Sequence, residues 1–501
     1  MTKNFFTRKL DGSNKNIKCF QCKRKSRINS SHVCYYCYGL NSLADSGNIN
    51  IDDFIKGTLS SNMRKIDIFL QWVPFKEFKD VKKIGQGGFS QIFKATWKIF
   101  EGISNKGTVK RSSEQEIVLK ILNNSQNVDT EFLNELKHTF QFRFNDMNYS
   151  GIIECYGVTQ DPQTKNYAFV LEYMPNGDLH HFIHNNFEIF TWKSKIHYLN
   201  NIVRGINNIH HKEIIHRDLH SGNILAKKDI NVIDFVISDL GFSQPANIDS
   251  NISRESQIYG IIPYMAPELF KNQQYSYASD IYSLGMIMWQ LTSGHRPFHD
   301  QEHGPKLILD ILDGKRPEIT EDTPERWSNL MKSCWHPDPS QRPTIQEIGE
   351  MPSLKFRNHY YYGSEDYIKK HHPEIYDIWL EFNEAEKKRL EMVESKKPFV
   401  KNPGYEHPNS RYYSTSLNSM LESINSTASD LFSNDHLLSK DHFDIMDFNP
   451  DQKNNFENSD HNLRAENSKK HFLNELLEEE NIEDQNDFKR RKFFEYFNEC
   501  L

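Results

Sequence analysis

Residues 214–225 read IIHRDLHSGNIL. Two apolar pairs enclose a polar block in which Asp218 and Asn223 stand five residues apart, with Arg217 beside the aspartate. Such a block reads as a loop following a helix. A second acidic loop, SDLGFS (238–243), comes shortly after it, directly behind the apolar run VIDFVI (232–237), and carries Asp239 and Gly241. Two carboxylates and an amide are all oxygen donors. They suit a hard cation such as Mg²⁺, which keeps several waters and bridges phosphate oxygens. In this reading Asp218 can accept a hydroxyl proton, Asn223 and Asp239 can hold the metal, and Arg217 can pair with a group in the intervening loop.

Upstream the chain carries matching features. IGQGGFSQI (84–92) sits between two strand-like runs, and Gly85, Gly87 and Gly88 let a backbone lie close over an anion because no Cβ intrudes. Lys120 interrupts the apolar strand EIVLKIL, where a buried ammonium needs a partner. FLNELKHTF (132–140) has a helical pattern and brings Glu135, which can pair with Lys120 and hold the ammonium against phosphate oxygens. FVLEYMPNGDL (169–179) reads as a strand ending in a turn at Pro175-Asn176-Gly177. Each feature has an ordinary alternative: a structural hairpin, an edge-strand lysine, a surface glutamate, a strand and a turn. Their order along the chain gives them weight together.

In that order, GQGGFS, VLK, FLNELK, HRDLHSGN, DLG, YMAPE (264–268), SDIYSLGMIMWQL, RPF (296–298) and CWHPDPSQRP (334–343) resemble the signature set of eukaryotic protein kinases, closest to the tyrosine-kinase-like group. The resemblance covers roughly residues 78–355. It implies an α+β, bilobal fold with a small antiparallel sheet lobe plus one helix and a larger helical lobe. It also implies ATP and Mg²⁺, and protein substrates. By the resemblance, Asp218 aligns and deprotonates the acceptor hydroxyl, Lys120 binds the α- and β-phosphates and pairs with Glu135, and Asn223 and Asp239 bind Mg²⁺. Ile84, Gly85, Gly87 and Gly88 would belong to the ATP lid. Ile92, Val118 and Leu225 would sandwich the adenine, the backbone at Glu172 and Met174 would hold its edge, and Leu171 would be the gatekeeper. Glu268 and Arg342 would form a buried ion pair, and Asp280 would hold the backbone of the HRD loop. Phosphate on Ser253, Ser256 or Tyr259, or on Ser243 or Ser250, would pair with Arg217 and order the segment between Asp239 and Glu268; a serine-rich loop without regulatory phosphate is the competing reading.

Several positions depart from the pattern. Ser90 replaces the third loop glycine, Val118 stands where alanine is usual, and Leu240 replaces the phenylalanine of DFG. His220 occupies the place of the lysine that serine/threonine kinases carry after the HRD aspartate, and Ile261 that of their bracing threonine. YMAPE lacks the tryptophan usual in tyrosine kinases, so serine and threonine are favoured over tyrosine as acceptors. The alternative function is a pseudokinase scaffold that binds nucleotide or partners without turnover. Loss of the lysine or of either aspartate would be its hallmark, and none is lost.

The rest of the 501-residue chain is organised by charge and polarity. Residues 1–40 hold nine Lys and Arg against one Asp, and four of the seven Cys. Cys19-x₂-Cys22 and Cys34-x₂-Cys37 suit a tetrahedral Zn²⁺ site, with His32 able to replace one thiolate. Four unliganded thiols are the competing reading. Lys23, Arg24, Lys25 and Arg27 beside Tyr35, Tyr36 and Tyr38 would permit nucleic-acid contact, but a structural or protein-docking knuckle is favoured. Residues 41–77 read as a connector with one amphipathic piece, MRKIDIFLQWV. Residues 356–400 read as a helical extension. Residues 401–501 read as a polar, mostly disordered tail whose terminal amphipathic helix waits for a docking partner. No stretch is apolar enough to span a bilayer, no signal-peptide core follows Met1, and Thr2 stands where a myristoyl anchor would need glycine. An intracellular location, cytoplasmic with the nucleus open, is therefore expected. So few cysteines exclude a disulfide scaffold.

Overall fold

The parity of one strand organises the small lobe. A computed structural model describes residues 18–20, 32–61, 70–103, 108–126, 130–142, 151–229, 232–241, 243–245, 258–355 and 365–424. The small lobe contains β1 (Gln71–Trp72), β2 (Lys79–Gln86), β3 (Ser90–Ile103), β4 (Val109–Leu122), β5 (Cys155–Gln160) and β6 (Tyr167–Glu172) in one sheet, ordered β1-β5-β6-β4-β3-β2. In β4, Ile117 and Leu119 face an apolar cluster with Trp97, Phe78 and Val170. The alternate residues Val118 and Leu122 face the cluster that contains Phe132, Leu136 and Phe140 of α3 (Thr130–Gln141). Side chains alternate across a strand, so Lys120 shares the second face with Val118. Register carries the same face into β3, where Ile92 lies opposite Lys120 and Lys94 opposite Val118.

The segment read as a connector is part of the small lobe. Helices α1 (Tyr35–Asn41) and α2 (Ile49–Ser61) pack against the sheet, and Leu40, Leu43, Ala44, Ile51, Ile55 and Leu70 are buried in the same cluster as α3. Ile51 and Ile55 are one helical turn apart and Thr58 follows on the same face, a periodicity that charged neighbours obscure in the sequence. Of MRKIDIFLQWV, residues 63–69 lie outside the described residues. Its Gln71 and Trp72 pair in parallel with Gly157 and Val158, so the sheet is not wholly antiparallel. A Cβ on Gly157 would meet the Gln71 carbonyl oxygen at 2.2 Å, so glycine is what admits this added strand.

The large lobe is helical. It comprises α4 (Leu179–Asn186), α5 (Trp192–His211), β7 (Ile214–Ile215), the hairpin β8 (Ile224–Asp229) and β9 (Val232–Ile237), β10 (Gln244–Pro245), β11 (Tyr259–Gly260), α6 (Pro267–Phe270), α7 (Tyr277–Ser293), α8 (Pro305–Leu312), α9 (Glu325–Cys334), α10 (Ile345–Glu350) and α11 (Pro352–Lys355). Helix α7 is apolar nearly all round and buried along almost its whole length, as a central core helix must be. Helix α5 starts on Thr191, whose side chain accepts the Ser194 N–H, and buries the stripe Ile196, Leu199, Ile202, Val203, Ile206 and Ile209.

The extension folds as a helix at Tyr376–Glu394 that inserts Ile378, Phe382 and Ala385 into the large-lobe core. Residues 401–424 do not behave as the polar tail expected of them. They run along the large lobe, and Leu417, Leu421 and Ile424 are buried in its core, with Met420 against it. Those four positions form a helical stripe at spacings of three and four within an otherwise Ser- and Asn-rich run. The terminal amphipathic helix expected near the C-terminus lies outside the described residues. Among the described residues no helix is long and apolar enough to cross a membrane.

Candidate active site

The cleft between the lobes gathers the charged residues singled out in the sequence. Lys120 Nζ donates to Glu135 Oε1 at 2.8 Å and to Asp239 Oδ1 at 2.7 Å. β4 supplies the lysine, α3 the glutamate, and the turn after β9 the aspartate. Burial works against the ammonium, but Asp239 and Glu135 outweigh it and hold the Lys120 pKa well above its ordinary value. Burial pushes Glu135 up, while Lys120 overcomes burial at Asp239 and pulls it down. A Cβ on Gly241 would stand 3.1 Å from both the Asp239 and Glu135 carboxylates, so glycine keeps this corner open. Asp239 itself has φ +61°, a left-handed conformation of the kind stored at functional turns.

Asp218 and Asn223 face this group from the large lobe. Asn223 Nδ2 donates to the Asp218 carbonyl at 2.8 Å, which fixes the amide and leaves its oxygen as the ligand atom. Burial raises the Asp218 carboxyl, but the nearby His220, Ser414 and His216 outweigh it and hold the pKa below the usual range. His220 Nε2 lies 3.6 Å from Asp218 Oδ2, while its Nδ1 accepts the Gly222 N–H. Asp280, at the start of α7, anchors the loop by accepting the His216 N–H at 2.8 Å and the Arg217 N–H at 3.0 Å, and it also contacts His210 Nε2 at 2.9 Å. The imidazole of His216 is buried between this anchor and the Ser238 carbonyl, so the two acidic loops are tied to each other.

The apolar candidates gather against the sheet face that carries Lys120. Leu171 and Met174 are buried in the cluster that Val118 and Leu225 border. Ile92 faces the cleft beside Lys120 by register, and Gly85 pairs with Ile92 across the hairpin. Ile84 is exposed at the lid, whose turn closes by a Gly87 N–H bond to the Ser90 carbonyl. Glu172 ends β6 and accepts from Lys227 at 2.9 Å. Elsewhere, Arg342 and Glu268 form a bidentate pair with both contacts at 2.7 Å, buried beneath α6 and α7. Arg217 stacks on Tyr275 at 4.1 Å, and its buried Nε has no hydrogen-bond partner among the described residues. Ser253, Ser256 and Ser250 lie outside the described residues. Ser243 is buried and bonded to His138, and the Tyr259 carbonyl accepts the Tyr275 hydroxyl. Ile261 lines the cavity beside Asp218 and His220.

The sequence reading missed two partners of this site. Tyr264 links Ser221 to Gln290 through its hydroxyl, at 3.1 and 2.7 Å, bracing the loop from beneath. Ser414 contacts Asp218 from the segment that was expected to be disordered.

At the N-terminal end, the sulfur atoms of Cys19, Cys34 and Cys37 lie within 4.8 Å of one another, and all three residues are buried. The Cys34 N–H donates to Cys19 Sγ at 3.2 Å, and the Cys37 N–H to Cys34 Sγ at 3.4 Å. Cys22 lies outside the described residues, and His32 is exposed.

A two-lobed fold with a lysine, two carboxylates and an amide converging under a glycine hairpin defines a phosphotransferase architecture. The chain belongs to the protein tyrosine and serine/threonine kinase family, whose pattern matches residues 78–351, over half its length. Among curated proteins it is similar to a probable serine/threonine-protein kinase of Dictyostelium discoideum, 26% identical over 55% of this chain and 19% of the relative. A putative serine/threonine-protein kinase/receptor of Acanthamoeba polyphaga mimivirus is 29% identical over 61% of this chain and 18% of the relative. The Arabidopsis thaliana serine/threonine-protein kinase STY17 is 25% identical over 56% of this chain and 45% of the relative. The chain thus spans under a fifth of the amoebal and viral proteins and under half of the plant one.

Proposed function

We propose that this protein is an ATP- and Mg²⁺-dependent protein kinase that transfers the γ-phosphoryl group to protein hydroxyls, serine and threonine before tyrosine, in intracellular signalling. The observation that carries the proposal is the convergence of Lys120, Glu135, Asp239, Asn223 and Asp218 on one cleft. Glu135 and Asp239 share the single Lys120 ammonium and Asp218 adds a further carboxylate beside them, a surplus of negative charge that suits a divalent cation, and Asn223 and Asp239 supply hard oxygen ligands for it. Mg²⁺ held there would neutralise charge on the phosphate oxygens. Lys120, kept charged by its two partners, would bind the α- and β-phosphates of ATP. Gly85, Gly87 and Gly88 would lie over them, and Ile92, Val118, Leu171, Met174 and Leu225 would exclude water from the adenine. Asp218 would orient the acceptor hydroxyl and take its proton. Phosphoryl transfer needs little covalent chemistry from the protein, so this positioning supplies most of the catalysis.

The names of the relatives support serine and threonine as acceptors. So does the run YMAPE, which lacks the tryptophan usual in tyrosine kinases. Radiolabel transfer to a generic protein acceptor, compared with Asp218→Asn and followed by phosphoamino-acid analysis, tests the reading. Label on phosphoserine or phosphothreonine that vanishes in Asp218→Asn is expected. Absence of transfer by the unmutated protein would favour the pseudokinase scaffold.

The N-terminal segment is proposed as a structural Zn²⁺ knuckle with Cys19, Cys22, Cys34 and Cys37 as ligands. Its support is the cluster of three buried thiols with two N–H···S bonds, an arrangement that stabilises thiolates and orients them toward one point. Because α1 and α2 join the small-lobe core, the knuckle would stiffen the lobe that carries Lys120 and Glu135.

A further inference from the structure

Residues 401–424 cross the mouth of the cleft along a defined path. Glu406 pairs with Arg296, the His407 N–H donates to the His299 carbonyl at 2.8 Å, and the His303 N–H to the Asn409 carbonyl at 3.1 Å. Tyr412 is held at both ends: its hydroxyl donates to the Pro297 carbonyl at 2.9 Å, and the Arg296 guanidinium lies 3.8 Å from its ring centre. Beyond the cleft, strand β12 (Thr415–Ser416) adds antiparallel to β11, with Ser416 opposite Tyr259 and Thr415 opposite Gly260. The Leu417 N–H donates to the Ile258 carbonyl, and the Ile258 N–H to Asn418 Oδ1, both at 2.8 Å. Leu417 and Leu421 then enter the large-lobe core. This is peptide recognition by strand addition, with backbone bonds fixing register and side-chain anchors on either side.

That register delivers one side chain to the catalytic aspartate. The Ser414 hydroxyl lies 2.6 Å from Asp218 Oδ2 and 2.8 Å from Oδ1, within the range over which a general base takes a proton. From the small-lobe side the glycine hairpin closes over the same residue: a Cβ on Gly88 would stand 3.0 Å from the Ser414 carbonyl oxygen. The neighbouring Tyr413 is exposed, so the strand singles out one hydroxyl. At this backbone depth a serine-length side chain reaches the carboxylate, whereas a tyrosine ring would overshoot it.

We propose that Ser414 is an intramolecular phosphoacceptor of this chain. The proposal rests on the kinase reading above and names a substrate for that site. In the step, Ser414 Oγ forms a bond to the γ-phosphorus of ATP. The bond from that phosphorus to the β–γ bridging oxygen breaks with its electron pair going to ADP, and the hydroxyl proton passes to Asp218. Tethering on both sides replaces a bimolecular encounter with a positioned one, so the reaction is first order in enzyme. The product, a phosphoserine carrying close to two negative charges beside the Asp218 carboxylate, repels its own binding site.

The test incubates the full chain with ATP and Mg²⁺ in the presence of a generic protein acceptor and maps phosphate by mass spectrometry. Phosphate on Ser414 is expected, with a rate constant independent of enzyme dilution. In a mixture with mass-tagged Asp218→Asn chain, the tagged Ser414 stays unmodified. A nucleotide-free readout is hydrogen exchange: the Leu417 amide is protected in the wild type and loses that protection in Leu417→Ser/Leu421→Ser. The same variant loses phosphate at Ser414 while still labelling the generic acceptor. Labelling of the generic acceptor without any at Ser414 would overturn the proposal and leave the kinase reading standing. Labelling of the tagged chain would overturn the intramolecular step, and labelling of neither acceptor would remove both readings. Rapid exchange at Leu417 in the wild type would remove the geometric basis.

Discussion

Arg342→Ala offers the sharpest test of how the large lobe is held together. The Arg342 side chain has no exposed surface and Glu268 very little. The guanidinium spends its donors on two contacts with Glu268 at 2.7 Å, one with the Ala278 carbonyl at 2.8 Å, and one through Nε with the His336 carbonyl at 2.8 Å, besides a longer contact to Pro337. Truncation leaves a carboxylate buried without its counter-ion and removes one donor from each of the Ala278 and His336 carbonyls. Breaking a buried pair from one side costs about 3–5 kcal/mol, most of it the penalty on the orphaned charge. At roughly 2–4 °C per kcal/mol for a domain of this size, the melting temperature should fall on the order of 10 °C. Differential scanning fluorimetry of the full chain reads this directly. The orphaned charge also fixes the sign of a second change: adding Glu268→Gln to Arg342→Ala should recover part of the loss, because a neutral amide is cheaper to bury than a carboxylate. A loss below about 1 kcal/mol would mean that the pair contributes no more than an exposed one. Further destabilisation by the second substitution would show that Glu268 is stabilised by something other than Arg342. Either result would overturn this account of the pair.

Other outcomes follow from single features. Gly205→Ala should destabilise by about 1–3 kcal/mol in denaturant titration, because a Cβ there would lie 2.8 Å from both the Gly151 carbonyl oxygen and Ile237 Cδ1 in a close-packed core. Lys195 is buried, and desolvation lowers its pKa to about 8 despite Asp322 at 3.6 Å. The unfolded chain keeps that proton up to about pH 10.4, so wild-type stability should rise with pH through the window from about 8 to about 10 relative to Lys195→Met; a falling difference would contradict the burial argument. Stoichiometric zinc, one ion per chain by elemental analysis, is expected in purified protein. Its chelation should raise hydrogen exchange in α1 and α2, and a metal-free preparation with the same protection would dismiss the knuckle.

Residue types and their order were enough to read the large features. HRDLHSGN, DLG and the glycine hairpin imply a phosphate-handling cleft because few other uses exist for those groups in that sequence. The alternation in EIVLKIL assigns Lys120 to the face it occupies, since strand geometry is local. The apolar stripe of α5 is similarly local.

What composition hid was packing. Charged neighbours made residues 41–61 look like a linker, yet Ile51 and Ile55 complete the small-lobe core, and only the third dimension offers them α3 as a surface. The run from 411 to 424 looks polar because its anchors, Tyr412, Leu417, Leu421 and Ile424, are spread among Ser and Asn. Their burial depends on a groove built from residues more than a hundred positions earlier. The contact between Ser414 and Asp218, 196 residues apart, is of this kind. Reading the chain in one dimension was enough to name the chemistry available, because chemistry resides in side-chain types. Which hydroxyl of this chain is offered to that chemistry emerged with folding, because presentation depends on strand register and on two distant anchors that no local pattern encodes.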